Sequence, residues 1–164
     1  MIRACTDDEF ETIAAIINDA AEAYRGVIPA DCWKEPYMPD DELAAEIARG
    51  VRIWGFEADG ELQGVMGTED VKDVTLIRHA YVRTARRNRG VGAALLAHLR
   101  GLTERPLLIG TWAAADWAVG FYRKHDFRVL TGAEKDRLLR IYWTVPKRQM
   151  ETSVVLACPR WPGD

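Results

Sequence analysis

Apolar residues recur along the chain at two periods, one helical and one alternating, and the changes between them predict its elements. Residues 2–5 read as a short strand. Thr6 with Glu9 forms a capping box, and Phe10, Ile13, Ile16 and Ile17 follow at helical spacing, so a helix is expected to about Tyr24. Residues 25–39 are irregular, broken by Gly26, Pro29, Pro36 and Pro39. Asp40 is expected to cap a second helix through Ile47, which Gly50 ends. Residues 51–56 and 62–66 read as strands joined across Asp59-Gly60, a tight-hairpin signal. Residues 74–82 form the next strand. A helix to about Leu102, a strand over 106–112, a helix over 114–125 and a short strand over 127–130 follow. Thr131 and Glu134 make a second capping box ahead of a helix to about Trp143. Residues 151–157 are the last strand, and residues 159–164 are expected to fray.

Hairpins followed by crossover helices imply a mixed sheet of about seven strands with helices on both faces, an α/β fold in a single domain over residues 1–164. A chain of this length buries roughly 70% of its unfolded surface and needs no staple. Cys5, Cys32 and Cys158 are odd in number, widely spaced and without a metal motif, so free thiols and a cytoplasmic setting are expected. No apolar run approaches the ~20 residues of a membrane span. The start of the chain lacks a signal-peptide pattern. Formal net charge is −3, which argues against general nucleic-acid binding.

Against that mild acidity, Arg83, Arg86, Arg87 and Arg89 crowd one turn. The turn, Arg87-Asn88-Arg89-Gly90-Val91-Gly92, lies between an apolar β-branched strand and a run of helix formers. Helix-opening N–H groups and the helix dipole there suit a phosphate or pyrophosphate. A Walker A loop fails, because Ala93-Ala94 follows Gly92 where Lys-Ser/Thr is required. A dinucleotide fingerprint fails too: position 95 is Leu, and the strand follows a hairpin. The remaining pattern is the Arg/Gln-x-x-Gly-x-Gly/Ala turn that cradles the pyrophosphate of coenzyme A.

Two segments carry a wider resemblance. Residues 81–96 contain that turn, and Ala118-Val119-Gly120-Phe121-Tyr122-Arg123-Lys124-His125-Asp126-Phe127 resembles an Ala-x-x-Phe-Tyr-x-Lys-x-Gly-Phe element. Together, in this order and with a strand between them, they resemble the GCN5-related N-acetyltransferase (GNAT) superfamily, whose element order also matches most of the chain. Departures are Thr84 for a frequent Pro, Asn88 for the usual Gly, Ala115 for a common Asn that often contacts pantetheine, and Asp126 for the Gly before Phe.

The resemblance implies an acetyl-CoA-dependent N-acetyltransferase acting on a primary amine of a small molecule, by direct attack in a ternary complex. N–H groups from Arg87, Asn88, Arg89, Gly90, Val91, Gly92 and Ala93 would hold the pyrophosphate, with Arg87 or Arg89 adding charge. Ala80, Tyr81 and Val82 would bind pantetheine through the backbone, and an N–H near Ala80 would polarise the thioester carbonyl. Tyr122 would protonate the leaving thiolate. Relatives that place a Glu or His base on the central strand do so at positions matched here by Leu76 and Arg78, and neither is a base. Strand alternation points His79 to the opposite face unless a β-bulge re-aims it. Arg78 would then be a cation beside the amine pocket, paired with an anionic group on the acceptor or with a neighbouring acid. Glu69, Asp70 and Asp73 are read as lying in a loop ahead of the strand. Tyr24, Trp33 and Tyr37 would wall the acceptor side, whereas Trp54, Trp112, Trp117 and Trp143 are assigned to the core. No metal is expected, and the family's frequent homodimers are allowed. Two other readings stay open: a catalytically idle acyl-CoA-binding regulatory module, and a protein N-terminal or lysine acetyltransferase.

Overall fold

The computed structural model describes residues 1–162. Among them the elements are β1 (Ile2–Ala4), α1 (Phe10–Ala21), α2 (Asp40–Arg49), β2 (Arg52–Ala58), β3 (Glu61–Val71), β4 (Val74–Val82), α3 (Val91–Arg100), β5 (Leu107–Trp112), α4 (Asp116–Lys124), β6 (Arg128–Leu130), α5 (Gly132–Tyr142), α6 (Lys147–Thr152) and β7 (Ser153–Ala157). The strands make a mixed seven-stranded sheet in the order β1-β2-β3-β4-β5-β7-β6. The chain divides into two compact units. One comprises Met1–Ala23, Lys34–Asp70 and Ile77–Glu104, and the other Tyr24–Trp33, Val71–Leu76 and Arg105–Asp164.

In the first unit β1 and β3 flank β2, both antiparallel to it. The β2–β3 turn places Asp59 at φ 54° and Gly60 at φ 75°, the paired left-handed residues that an Asp-Gly hairpin supplies. Ile13, Ile16 and Ile17 of α1 and Leu43 of α2 are buried with Ile53 and Val65 of the strands. Each such side chain contributes about 1.5–3 kcal/mol on burial. The alternate strand positions face α3, where the Trp54 and His98 rings lie 5.1 Å apart. Gly64 sets how closely α3 begins over the sheet. A Cβ there would stand 2.8 Å from Val91 Cγ1 and 3.1 Å from the Tyr81 carbonyl oxygen.

The start of α1 is tied to the sheet by charge. Glu9, closing a short 3-10 turn at Asp7–Glu9, accepts from the Thr6 N–H at 2.8 Å and from the Arg3 guanidinium at 2.7 Å. Arg3 also donates to Glu57 at 2.7 Å. The Arg3 hydrogen bond, seconded by Thr6, holds the Glu9 carboxyl at about 2, below its ordinary value.

In the second unit β7 lies between β5 and β6, antiparallel to both. Leu138, Leu139 and Tyr142 of α5 cover Leu108, Val155 and Ala157. The Trp143 indole lies along Gly110, where a Cβ would meet it at 3.4 Å.

Five expectations are corrected. β3 continues to Val71, so Glu69 and Asp70 are strand residues and not part of a loop. The alternation is hard to read there, since residues 66–71 mix Gly, Thr and acids. α6 was not expected; Pro146 supplies its N-cap in a stretch otherwise read as loop and strand. Trp117 is 44% exposed and no core residue. The Trp161 N–H donates to the Cys158 carbonyl and Arg128 donates to the Trp161 carbonyl, so the described part of the C-terminal segment is anchored. Gly163 and Asp164, also expected to fray, lie outside the described residues. Pro39, not Asp40, is the N-cap of α2. No described helix is long and apolar enough to cross a membrane.

Two stability measurements check this packing. Gly64→Ala forces Val91 or the β4 backbone to move and should cost about 1–3 kcal/mol in chemical denaturation. Glu9 has a depressed pKa, so its contribution is complete above the ordinary carboxylate range and is lost as pH falls toward 2. Glu9→Gln should therefore be less stable than the parent at pH 7 by up to about 1 kcal/mol, with the two thermal transitions converging at acid pH.

Candidate active site

The arginine-rich turn is built by alternating tethers and left-handed residues, all within the first unit. After β4, the Arg83 N–H donates to the Gln63 carbonyl at 2.9 Å and its Nε to the Leu62 carbonyl at 2.7 Å. The Thr84 N–H donates to Asp19 Oδ2 at 2.8 Å. Arg87 Nη2 donates to the Ala20 carbonyl at 2.9 Å, so this guanidinium pins the turn to the end of α1. Asn88 and Gly90 then take φ 60° and 82°. Gly90 is the N-cap of α3, and a Cβ on it would meet no protein atom within 4 Å. The glycine is thus required by its backbone angle, and open space lies over it. The first bond of α3 runs from the Ala94 N–H to the Gly90 carbonyl at 2.9 Å. The N–H groups of Val91, Gly92 and Ala93 therefore open the helix without intrahelical acceptors. Arg89 is exposed and has no ion-pair or hydrogen-bond partner among the described residues. The turn offers donors, dipole and one uncommitted guanidinium, a set that fits a diphosphate.

Just upstream, β4 departs from regular alternation. His79 has φ 50°, a left-handed angle inside a strand. The consequence is that two consecutive residues reach one acid. His79 Nε2 lies 2.5 Å from Glu46 Oε2, and Arg78 Nη2 donates to Glu46 Oε1. Arg78 Nη1 donates to Glu69 at 2.9 Å, and Arg49 donates to the same carboxylate at 3.1 Å. Burial works to raise the Glu46 pKa. The hydrogen bond from His79 and the charges of His79, Arg78 and Arg49 outweigh it and hold the carboxyl below its ordinary value. Arg78 is therefore compensated by two protein carboxylates, the neighbouring-acid alternative of the two that the sequence left open. Tyr81 packs against the apolar core of this unit, and Ala80, Tyr81 and Val82 are all half-buried.

Tyr37, also in the first unit, packs on the same core. Tyr24, Trp33 and Tyr122 belong to the second unit. Tyr122, on α4, is buried, edge-on to Phe127 with ring centres 5.7 Å apart. Burial, and then the neighbouring Tyr24, push its pKa well above the ordinary phenol value. Tyr24 is stacked on Trp117 at 5.8 Å, and the Arg25 guanidinium lies 4.5 Å from the Trp33 ring centre. Asp126 takes φ 70° immediately before Phe127, so an aspartate holds the angle a glycine would.

Sequence reasoning missed Glu46. It reads as one more acid on an amphipathic helix, and no local spacing links it to β4, 33 residues on from it at His79. The one available signal was an acid on the buried side of α2, in register with Leu43.

A family model described as an acetyltransferase (GNAT) domain matches residues 4–138. Among solved structures, the chain is similar to the PaiA N-acetyltransferase from Thermoplasma acidophilum in complex with coenzyme A, with 16% identity, 96% of this chain and 97% of that chain covered and a TM-score of 0.73. It is similar to a GNAT-family acetyltransferase from Staphylococcus aureus Mu50, with 13% identity, 94% and 96% covered and a TM-score of 0.70. It is also similar to the ribosomal-protein-S18-alanine N-acetyltransferase from Escherichia coli, with 18% identity, 97% and 92% covered and a TM-score of 0.63. Likeness at these identities is likeness of fold. No curated protein matches the chain. With the model covering most of its length, the chain belongs to the acetyltransferase (GNAT) family.

Proposed function

We propose that this protein is an acetyl-CoA-dependent N-acetyltransferase that acetylates a primary amine of a small molecule by direct attack. The observation that carries the reading is the turn at the start of α3: left-handed Asn88 and Gly90 deliver three unpaired N–H groups beside an uncommitted Arg89, in a chain of this family. These groups hold the diphosphate, while Arg87 shapes the turn from behind and Asn88 stands in for glycine. The backbone of Ala80, Tyr81 and Val82 hydrogen-bonds the pantetheine arm. The Ala80 N–H, next to the left-handed His79, holds the thioester carbonyl as charge develops on its oxygen.

Tyr122 donates to the departing sulfur. Its raised pKa keeps the phenol neutral. An alkylthiol titrates near ~8.5, below any phenol, so the contribution that fits is a hydrogen bond that strengthens as negative charge reaches the sulfur. Tyr24, Trp33 and Tyr37 contribute aromatic surface on the acceptor side, and Trp117 extends it through its stacking on Tyr24. Arg78 stands beside the acceptor with its charge already balanced, so the acceptor need not carry an anion.

Calorimetry and turnover assays test this reading. Acetyl-CoA and CoA should both bind. Gly90→Asp should weaken that binding tenfold or more, because an anionic side chain replaces the open space where the diphosphate sits; an unchanged Kd removes the turn from the site. Tyr122→Phe should lower kcat by about 10- to 100-fold at nearly unchanged acetyl-CoA KM, whereas an equal kcat removes the hydroxyl from the reaction. CoA release should be seen with small primary amines. Release with peptide amino termini alone would make the protein a protein N-acetyltransferase, and binding without release on any acceptor would make it an idle acyl-CoA module.

A further inference from the structure

One proton has no place to go in that scheme. An alkylammonium must lose a proton before its nitrogen can attack, and Leu76 and Arg78 cannot take it. Resting on the acetyltransferase reading, we propose that the Nδ1 of His79 is the base that deprotonates the acceptor, and that Glu46 positions and charge-matches it.

The left-handed angle of 50° at His79 is the structural origin. In a regular strand His79 would face away from Arg78. Here both side chains converge on Glu46, one on each carboxylate oxygen. The carboxylate has only lone pairs to offer, so the proton between it and His79 belongs to Nε2. In the neutral ring the lone pair is then fixed on Nδ1. Nδ1 has no hydrogen-bond partner among the described residues. The imidazole is held firmly, with its side chain 7% exposed and that of Glu46 10%. A carboxylate that fixes one imidazole tautomer and stabilises the imidazolium is the arrangement that makes histidine an effective base.

The surrounding charges leave room for that role. The groups facing the pair are Arg49 from α2, Glu69 from β3 and Arg78 from β4. Two guanidinium groups already balance the two carboxylates, so the imidazole is surplus to the charge balance of the cluster. Arg78 and Glu69 by themselves would join the strands. His79 is also the residue immediately before Ala80, whose N–H is assigned to the thioester carbonyl.

The step balances simply. Nδ1 accepts one proton from the acceptor's ammonium group, giving a free amine and an imidazolium paired with Glu46. The amine nitrogen forms the C–N bond as the C–S bond breaks. The nitrogen sheds its second proton, the sulfur leaves as a thiol, and the imidazolium returns its proton to solvent as the product departs.

His79→Gln keeps a side-chain donor for Glu46 and removes the base. With an alkylamine acceptor, kcat/KM at neutral pH should fall by about 10²- to 10⁴-fold, while the acetyl-CoA Kd stays within about twofold of the parent. The deficit should shrink as pH rises toward the amine's own pKa. An aromatic amine, already neutral at pH 7, should lose less than about fivefold. Glu46→Gln should lower kcat/KM with the alkylamine by about tenfold or more while the aromatic amine loses less than about fivefold, the split expected of a residue that positions the base. Parent-level alkylamine turnover in His79→Gln, or a loss in either variant that is equal for the aromatic amine, would overturn the assignment. The imidazole ¹⁵N spectrum of the parent protein decides independently of any variant's folding: in the neutral ring Nε2 should carry the proton, and a neutral ring protonated on Nδ1 would refute the base. Failure of the parent to turn over any acceptor overturns the acetyltransferase reading itself. Turnover by the parent with His79→Gln unaffected overturns the base alone.

Discussion

A carboxylate taken out of water must find compensating charge and donors, and Glu46 organises its unit by that requirement. Its two oxygens bind α2 to β4 through Arg78 and His79, and Arg78 carries the linkage on to Glu69 of β3. For both side chains to reach one acid, the strand must break its alternation, and it does so at His79. The twist in the backbone and the acid beneath it are one feature. The irregularity sits next to the peptide groups assigned to the thioester, so the same constraint shapes both the scaffold and the chemistry proposed for it.

The turn that opens α3 follows a different logic, in which close approach and backbone handedness replace charge. Gly64 allows Val91 to settle on β3, which fixes where α3 begins. Asp19, Ala20, Leu62 and Gln63 hold the turn by its main chain and arginines. What remains uncommitted at the tip are N–H groups and Arg89. Arg87 looked equivalent to Arg89 in sequence, yet the fold ties one inward and leaves the other to solvent.

Local signals were legible where local chemistry decides the structure. The Asp59-Gly60 hairpin, the extent of β4 and the order of strands and helices followed from pattern and turn residues. Asn88 and Asp126, departures from the family's glycines, proved to hold left-handed angles of 60° and 70°, which short polar side chains tolerate best. What stayed hidden depends on partners distant in sequence. The reach of Glu46 to His79, the inclusion of Glu69 in β3 and the exposure of Trp117 are set by tertiary packing, which no window of residues encodes. α6 was missed because six residues give too few turns for a periodicity to show.

The loop carrying Tyr24 and Trp33 is secured differently from everything around the turn. Among its ties are an Arg25–Trp33 ring contact and an ion pair between Asp31 and Arg148, whose side chains are 59% and 50% exposed. Contacts of that kind contribute at most about 1 kcal/mol each. Substitution of the exposed Asp31 and Arg148 therefore carries little penalty to folding, whereas a single methyl at Gly64 disturbs the helix start. Such asymmetry lets surface positions of the loop drift while the turn that opens α3 stays fixed.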